Sequence, residues 1–269
     1  MENETIEILV RKANSGDKQS LEKIIIHVKD YVYNLSLKML LLPIDAQDAT
    51  QEILIKVITH LSTFEFKSKF STWVYRIATN YLINLKNKRS RELAMSFSDY
   101  TTLIDSGHSD IESHSSNEGE LKLLEEEVKV SCTQGLLLCL NPTDRMVYIL
   151  SVILEFNSKE GAEILEITSE NFRKKLSRSK LKIRNFLNNK CGLVNAENPC
   201  RCVKKIDFLV DKKLVDPKEL KFANLNQRSI DLMNKIGEAE KSLLIYRSVL
   251  PSRAPQVVLN NIKSILTNG

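Results

Sequence analysis

The sequence is poor in the residues that interrupt helices, with eight glycines and six prolines in 269 residues. Aromatic residues make up only 6% of the chain, and there is one tryptophan. Scarce Gly and Pro, beside many Leu, Ile, Lys and Glu, favour helices over a sheet-rich fold. The composition therefore predicts an all-α protein.

Membrane and export signals are lacking as well. No apolar run approaches the roughly 20 residues that a membrane-spanning helix needs. The polar start Met1, Glu2, Asn3, Glu4 does not resemble a signal peptide. Five cysteines, an odd number, without such a signal indicate a reducing compartment. We expect a cytoplasmic protein with no membrane partner.

Catalytic motifs are also missing from the sequence. It contains no Gly-rich phosphate loop followed by Lys and Ser or Thr, and no HExxH pair. The four histidines, at positions 27, 60, 108 and 114, are scattered. The sequence therefore predicts a binding protein that is not an enzyme and needs no cofactor.

The charges are strongly segregated along the chain. Residues 169–190 hold eight Lys or Arg and one acid, Glu170. Residues 99–127 hold nine acids and one base, Lys122. A basic helix beside an acidic, solvated segment is typical of a nucleic-acid face joined to a tether.

Helical spacing of apolar residues divides the chain into two compact blocks and an extension. Residues 1–92 form the first helical domain, and residues 93–130 form an acidic flexible linker. Residues 131–190 form a second helical domain. Residues 191–269 form a Cys-containing joint and a helical extension. Within these blocks Asp45 is expected to cap a helix over 46–61, a further helix is expected over 72–88, and Asp216 and Pro217 are expected to start another.

Residues 158–187 have the pattern of a helix-turn-helix. A short helix over 159–165 is followed by a turn at Ile167 and Thr168, and Ser169 is expected to cap a longer helix. Phe172, Leu176, Ile183 and Leu187 share one stripe of that helix. The alternative is an ordinary amphipathic helix pair with a solvated basic face. The turn needs a left-handed residue, which Glu166 or Ile167 must supply.

Three segments together carry a family resemblance. They are DAQDATQEILIKV at 45–57, the stretch from Phe64 through FSTWVYRIATN at 70–80, and AEILEITSENFRKKLSRSK at 162–180. The first two resemble region 2, and the third resembles region 4, of extracytoplasmic-function bacterial sigma factors. Leu54 stands where the family commonly has Phe, and Glu166 where it commonly has Gly. The resemblance implies a factor that directs promoter-specific transcription initiation.

The resemblance also implies three sets of site residues. The first set binds core RNA polymerase at its β′ clamp: Asp48, Gln51, Glu52 and Ile55. The second captures the non-template strand of the −10 element: Phe70, Ser71, Thr72, Trp73, Tyr75, Arg76, Asn80, Asn84 and Lys88. The third reads the −35 element in the major groove, in a domain that also packs on the β subunit: Ser169, Asn171, Arg173, Lys174, Ser177 and Arg178.

The joint contains Cys191, Cys200 and Cys202 within twelve residues. They are weak candidates for zinc ligands or an oxidant sensor, because C-x8-C-x-C lacks the usual C-x2-C spacing and a nearby fourth ligand. Buried thiols packing a tight turn are the favoured interpretation. No metal is therefore expected.

The extension has amphipathic spacing at Ile230, Met233, Leu243 and Leu244, and again at Val258, Ile262 and Leu266. One hypothesis is that it regulates promoter or polymerase binding in cis, in place of a separate anti-sigma factor. Two alternatives for the whole chain stay open. One is a stand-alone helix-turn-helix regulator, and the other is a sigma-like interaction adaptor without promoter activity.

Overall fold

A computed structural model of the chain describes residues 5–85, 95–107, 118–212, 214–220 and 252–268. Within these ranges the all-α prediction is confirmed, with no strand beyond one isolated bridge between Cys191 and Cys200. In chain order the helices are α1 (Ile6–Asn14), α2 (Lys18–Leu40), α3 (Pro43–Thr59), α4 (Phe70–Asn84), α5 (Phe97–Ser106), α6 (Glu118–Leu137), α7 (Pro142–Tyr148), α8 (Ser158–Ile164), α9 (Ser169–Lys190), α10 (Ile206–Asp211) and α11 (Gln256–Asn268).

The chain divides into two compact units. The first consists of Met1–Asn87, Phe156–Arg173 and Pro251–Gly269. The second consists of Lys88–Glu155 and Lys174–Leu250.

The first unit is built on the long helix α2. Asp17 caps it by accepting hydrogen bonds from the backbone N–H groups of Gln19 and Ser20, both at 3.2 Å. Its buried face includes Ile24, Ile25, Val28 and Val32, and packs on α1, α3 and α4. The helix ends at Leu41, whose φ of 68° turns the chain sharply.

Pro43 occupies the first turn of α3, so the helix begins three residues earlier than expected. The prediction that Asp45 is the N-cap is therefore wrong, because Leu42 holds that position and Asp45 is buried in the first turn. The predicted apolar stripe of this helix is confirmed by its burial. It comprises Ala49, Ile53, Val57 and Leu61, the last in a short 3-10 turn at Leu61–Thr63.

Helix α4 begins at Phe70, two residues before the expected start, and ends at Asn84. The expected end at residue 88 lies outside the described residues. Phe70 lies in the first turn of α4 and only 2% of it is exposed, because it anchors the helix start against Phe64 and Trp73.

The second unit contains two helices in the range that the sequence assigned to the linker. Helix α5 starts with a capping box in which Ser96 and Asp99 bond each other's backbone N–H groups. Tyr100 of α5 donates a hydrogen bond of 2.6 Å from its hydroxyl to the carbonyl oxygen of Cys132 in α6. The residues between, 108–117, lie outside the described ranges, and the exact linker limits stay a prediction.

Buried Arg145 of α7 organises the turn between α6 and α7. Its guanidinium donates to the carbonyl oxygens of Leu137, Leu138 and Leu140 at 3.0 to 3.2 Å. Burial lowers the pKa of this group to about 10, yet leaves it cationic near neutral pH. The arginine therefore satisfies the carbonyl groups that the end of α6 leaves unpaired.

The described part of the extension packs in two places. In the second unit, Ile206, Leu209 and Val215 form a cluster with Leu124 and Val128 of α6. The expected helix start at Asp216 and Pro217 is wrong, because a turn is found there, in which the Lys218 N–H bonds the Asp216 carboxylate at 2.9 Å. The expected apolar residues Ile230, Met233, Leu243 and Leu244 lie outside the described residues.

Helix α11 of the extension belongs to the first unit and packs on α3 and α2. Its predicted apolar residues Val258 and Ile262 are buried, which confirms the amphipathic spacing at these two positions. The side chain of Leu266 is outside the described set. The last helix of the chain thus covers part of the domain that the first helices build.

Candidate nucleic-acid interface

The acidic patch of α3 is open to solvent. Asp48 and Glu52 are exposed, while Gln51 and Ile55 are half-buried beside them. Burial, together with the carboxylates of Glu52 and Asp48, raises the pKa of the Tyr81 hydroxyl on α4. The four side chains therefore form the surface that the sequence predicted, with Tyr81 at its edge.

The loop between α3 and α4 is an aromatic cluster. The ring of Phe64 lies 4.7 Å from Phe66, 5.3 Å from Phe70 and 5.5 Å from Trp73. The guanidinium of Arg11 stands 4.2 Å from the centre of the Phe66 ring, a cation–π geometry. Phe66 has a φ of 60°, a conformation rare for an aromatic residue. The rings therefore pack mainly on one another.

The remaining predicted −10 residues of α4 differ in exposure. Asn80 and Asn84 are exposed; Ser71, Thr72, Trp73 and Arg76 are half-buried. Tyr75 is buried, stacked on Tyr31 with ring centres 5.0 Å apart, and burial raises the pKa of its hydroxyl to about 12. Lys88 lies outside the described residues. The structure thus presents Asn80 and Asn84 outward and places Phe70 and Tyr75 in the core.

An open cavity of about 500 Å³ lies beside these asparagines, between α3 and α4. Its lining adds three residues with polar or aromatic character that the sequence did not single out: Lys56, His60 and Tyr81. Lys56 of α3 and His60, the residue that caps its C-terminus, are four residues apart, as Ile77 and Tyr81 are on α4. Helical spacing beside Asn80 and Asn84 was the signal that could have found them.

The helix-turn-helix is formed as the sequence indicated. Asn157 caps α8 in a capping box with Glu160, and Glu166 supplies the left-handed turn with a φ of 53°. The cap of α9 was predicted wrongly. The Thr168 hydroxyl oxygen accepts the Asn171 N–H at 3.2 Å, and Ser169 is the first helical residue.

Close packing fixes the angle between the two helices of this motif. Phe172 is fully buried, and its ring lies directly over Gly161 of α8, where any added Cβ would clash with it. Of the predicted −35 residues, Ser169 is half-buried and the others are exposed: Asn171, Arg173, Lys174, Ser177 and Arg178. The first turns of α9 therefore offer a polar, basic face on a rigid base.

Within the first unit, α8 contacts the −10 residues of α4. Arg76 donates from Nη2 to the Glu163 carbonyl oxygen at 3.3 Å, and its guanidinium lies 3.6 to 3.7 Å from the carboxylates of Glu166 and Glu163. The Tyr75 ring meets Phe156 edge-on at 5.1 Å. Two predicted −10 residues are thus engaged by protein groups.

Family models match both domains in order. The model of Sigma-70 region 2 matches residues 24–92, and that of Sigma-70 region 4 matches residues 131–183. Among curated proteins, the ECF RNA polymerase sigma factor SigW of Bacillus subtilis is 35% identical over 80 residues, 30% of this chain and 43% of SigW. Two parts of the chain, called region 2 and region 4 after the models that they match, are therefore similar to the Sigma-70 family. The aromatic loop, the acidic patch and α4 lie in region 2, and α8 and α9 lie in region 4.

Other similar proteins cover different shares of the chain. A probable RNA polymerase sigma factor of Haemophilus influenzae is 26% identical over 151 residues, 54% of this chain and 78% of the relative. The match to SigW spans less than half of SigW's length. The solved structure of CnrH in complex with the cytosolic domain of CnrY aligns with 67% of this chain and 96% of CnrH, at 15% identity and a TM-score of 0.43.

Two kinds of feature are absent from the described residues. Across the described ranges, no helix is both long and apolar enough to cross a bilayer. Nor does any group of three or more His, Cys, Asp or Glu side chains there have the placement that holding a metal ion requires. The described cysteines are free thiols.

Proposed function

We propose that this chain binds core RNA polymerase and directs it to specific promoters, leaving phosphoryl transfer to the polymerase. The observation that carries the proposal is the presence of both regions in order, each with its predicted polar face exposed. Asp48 and Glu52 offer carboxylates to the β′ clamp. The first turns of α9 offer cations and amides to the −35 major groove.

Region 2 would open the −10 element with two kinds of groups. A base that leaves the stack needs a pocket with a ring face or polar edges, and the strand needs cations. Asn80, Asn84 and the cavity beside them supply the polar edges, and Lys56 supplies a cation. The proposed −10 set stays as the resemblance implies it, with Phe70 and Tyr75 acting from the core.

The polymerase contact is tested by pull-down of core enzyme. Asp48→Asn combined with Glu52→Gln should weaken core binding at least tenfold, because two carboxylates leave the contact. Glu7→Gln on α1 is the matched control, since Glu7 is an exposed acid outside the patch. Equal binding by all three proteins would refute the proposed contact.

Promoter selection is tested by run-off transcription with core enzyme over genomic fragments. The chain should start transcripts at defined positions, and core enzyme alone should not. A protein that binds DNA fragments but never co-purifies with core enzyme would instead be a stand-alone regulator. A protein that binds core enzyme but starts no transcript would be an adaptor.

We also propose that the extension regulates region 2 in cis. The Asn34 amide and the Ser252 backbone bond each other at 2.6 and 2.7 Å, and the Ala254 N–H donates to the Asp30 carboxylate at 2.8 Å. Lys263 pairs with Glu22 at 2.6 Å. These contacts tie the extension to α2, and α11 also packs on α3, the helix that carries the acidic patch. A separate anti-sigma factor remains the alternative regulator.

Deleting residues 252–269 tests this regulation. Removal of α11 should change the affinity for core enzyme in the pull-down, because α3, which carries the acidic patch, loses its packing against α11. Lys263→Glu should loosen the helix and shift the affinity in the same direction, and adding Glu22→Lys should restore it. An affinity that is unchanged by the deletion, in a chain that remains folded by circular dichroism, contradicts the proposal.

A further inference from the structure

All five cysteines lie in the second unit, and four of them lie near one another there. The sequence drew attention to three, in the joint, and the structure adds Cys132 from α6. Burial raises the pKa of the Cys132 thiol to about 12, and the nearby Cys191 and Cys200 sulfurs act in the same direction. The hydrogen bond from Tyr100 has the opposite effect and lowers this pKa. Burial likewise raises the pKa of Cys202, with Cys132, Cys191 and Cys200 adding to the effect. The four thiols therefore lie close enough to influence one another.

One pair within this group is brought together by the backbone. Cys191, just after α9, and Cys200 form an isolated parallel bridge. Chains paired in this way lie about 4.8 Å apart. Disulfides join residues whose Cα atoms are about 4.4 to 6.8 Å apart. The side chains of two directly paired residues also point to the same side of the paired backbones. The backbone spacing therefore permits a disulfide without a large shift of either chain.

The two backbone segments of the joint also approach each other beyond the bridge. A Cβ added at Gly192 would overlap the Cys200 carbonyl oxygen and the Arg201 guanidinium. Only glycine permits this approach, which keeps the chain at residue 192 against the chain at residue 200.

A hydrogen-bond network fixes the loop between the two cysteines. Asn198 donates from Nδ2 to the carbonyl oxygens of Asn188 at 2.9 Å and Cys191 at 3.2 Å. Arg201 donates to the carbonyl oxygens of Ala196 at 2.9 Å and Cys200 at 3.0 Å. With their backbones held in this way, the two thiols have a high local concentration relative to each other.

Thiol chemistry fits this arrangement better than metal binding. In the part of the chain that the structure describes, no three ligand side chains are placed to hold a metal ion. Two thiols on paired backbones need only side-chain rotation to meet. Cys191 and Cys200 are both half-buried, so a small reagent has access to them.

We propose that Cys191 and Cys200 form a reversible disulfide in exchange with a low-molecular-weight disulfide. The thiolate of one cysteine attacks the small disulfide, forming a mixed disulfide and releasing one small thiol. The second cysteine, as its thiolate, then attacks the protein sulfur of that mixed disulfide and releases the second small thiol. Two protein thiols are oxidised, and one small disulfide is reduced to two small thiols.

A disulfide between Cys191 and Cys200 would close the short loop that joins region 4 to the extension. Residues 203–220 follow the joint directly, and their apolar side chains pack on α6. The exchange therefore places a redox-dependent link where the last helix of region 4 gives way to the extension.

The experiment equilibrates the full chain in glutathione buffers of graded reduced-to-oxidised ratio. One series keeps the chain folded, and a parallel series unfolds it in about 8 M urea. The thiols are then quenched with N-ethylmaleimide and mapped by mass spectrometry. The equilibrium constant for the Cys191–Cys200 disulfide should be at least tenfold larger in the native chain. Equal constants in the two states would overturn the proposal, as would a dominant pairing with Cys132 or Cys202.

Three variants sharpen the result. Asn198→Ala should move the native constant towards the unfolded one, because the amide holds the Cys191 carbonyl, and an unchanged constant counts against the preorganised loop. Cys139→Ser is the matched control, since Cys139 lies outside the group of four, and it should leave the constant unchanged. Cys191→Ser should abolish the mapped link. Stoichiometric zinc in the purified chain that protects these thiols from N-ethylmaleimide would also overturn the proposal.

Discussion

The two proposed DNA-reading surfaces differ in how many of their residues are exposed and available to contact DNA. On α9 of region 4, five of the six proposed −35 residues are exposed on a helix that Phe172 and Gly161 hold rigidly. In region 2, the proposed −10 residues include a buried phenylalanine, a buried tyrosine and an arginine held by two glutamates. The proposed −35 surface is therefore preformed, whereas several side chains of the proposed −10 surface are buried or bonded to other protein groups.

This difference matches the tasks proposed for the two regions. Reading a duplex from its major groove needs side chains that already project from a fixed helix. Capturing an unstacked base needs a pocket that is occupied only once the duplex has opened. A −10 surface that releases its own contacts when the strand arrives would link capture to a change in region 2.

The largest expected effect is on the stability of region 2. Phe70→Ala removes a buried ring from the cluster with Phe64 and Trp73, and should lower the free energy of unfolding by about 3 to 5 kcal/mol. Urea unfolding followed by circular dichroism measures it. Asn80→Ala is the comparison, because Asn80 is exposed and its loss should leave stability unchanged while weakening −10 binding. A Phe70→Ala chain as stable as the parent would show that the ring is free for DNA at rest.

The next effect concerns the preformed surface. Arg173→Ala should weaken binding to a −35 duplex by about 1 to 3 kcal/mol, roughly 5- to 150-fold, with no loss of stability, because the side chain is exposed. Titration at several salt concentrations by fluorescence anisotropy measures it. A salt slope reduced by about one indicates a phosphate contact, and an unchanged slope a contact to bases.

Arg184→Ala serves as the matched control on the same helix. Arg184 is exposed but lies three turns beyond Arg173, outside the proposed reading face. It should affect binding far less than Arg173→Ala. Equal losses for the two variants would mean that α9 binds by general positive charge and not by a preformed reading face.

The sequence predicted the features that depend on local periodicity. The buried stripe of α3 and the presence of α8 and α9 follow from apolar residues at helical spacing, and the structure confirms them, although both helices begin one residue before their predicted starts. The left-handed residue at Glu166 was one of two positions that the turn allowed. These features depend on neighbours within a few residues, which a single sequence displays.

Features that depend on contacts between residues far apart in the sequence could not be predicted from local periodicity. Tyr75 is buried partly by Phe156, about 80 positions further along the chain, so its placement on α4 alone indicated a surface role. Cys132 lies nearly 60 residues from the joint that it approaches. Helix α5 was assigned to a linker because its surroundings are acidic, although Tyr100 and Ile104 bury enough apolar surface to fold it. The early start of α3 is a subtler case, since Pro43 suits a helix end or a first turn equally.

The smallest expected effect tests whether protein contacts hold the −10 surface at rest. Glu166→Gly removes one carboxylate beside Arg76 and also relieves a left-handed conformation that costs a residue other than glycine about 1 kcal/mol. The loss of an exposed ion pair costs about 0 to 1 kcal/mol, so stability should stay near that of the parent. Arg76 would then be held by Glu163 alone and should bind single-stranded −10 DNA a few-fold more tightly, measured by anisotropy with a labelled oligonucleotide. Glu166→Gln separates the two causes, because it removes the charge and keeps the strained backbone.

If Glu166→Gln tightens binding as much as Glu166→Gly does, the carboxylate restrains Arg76. If neither changes binding, Arg76 is as available as the −35 residues, and the contrast between the two surfaces rests on the aromatic residues alone.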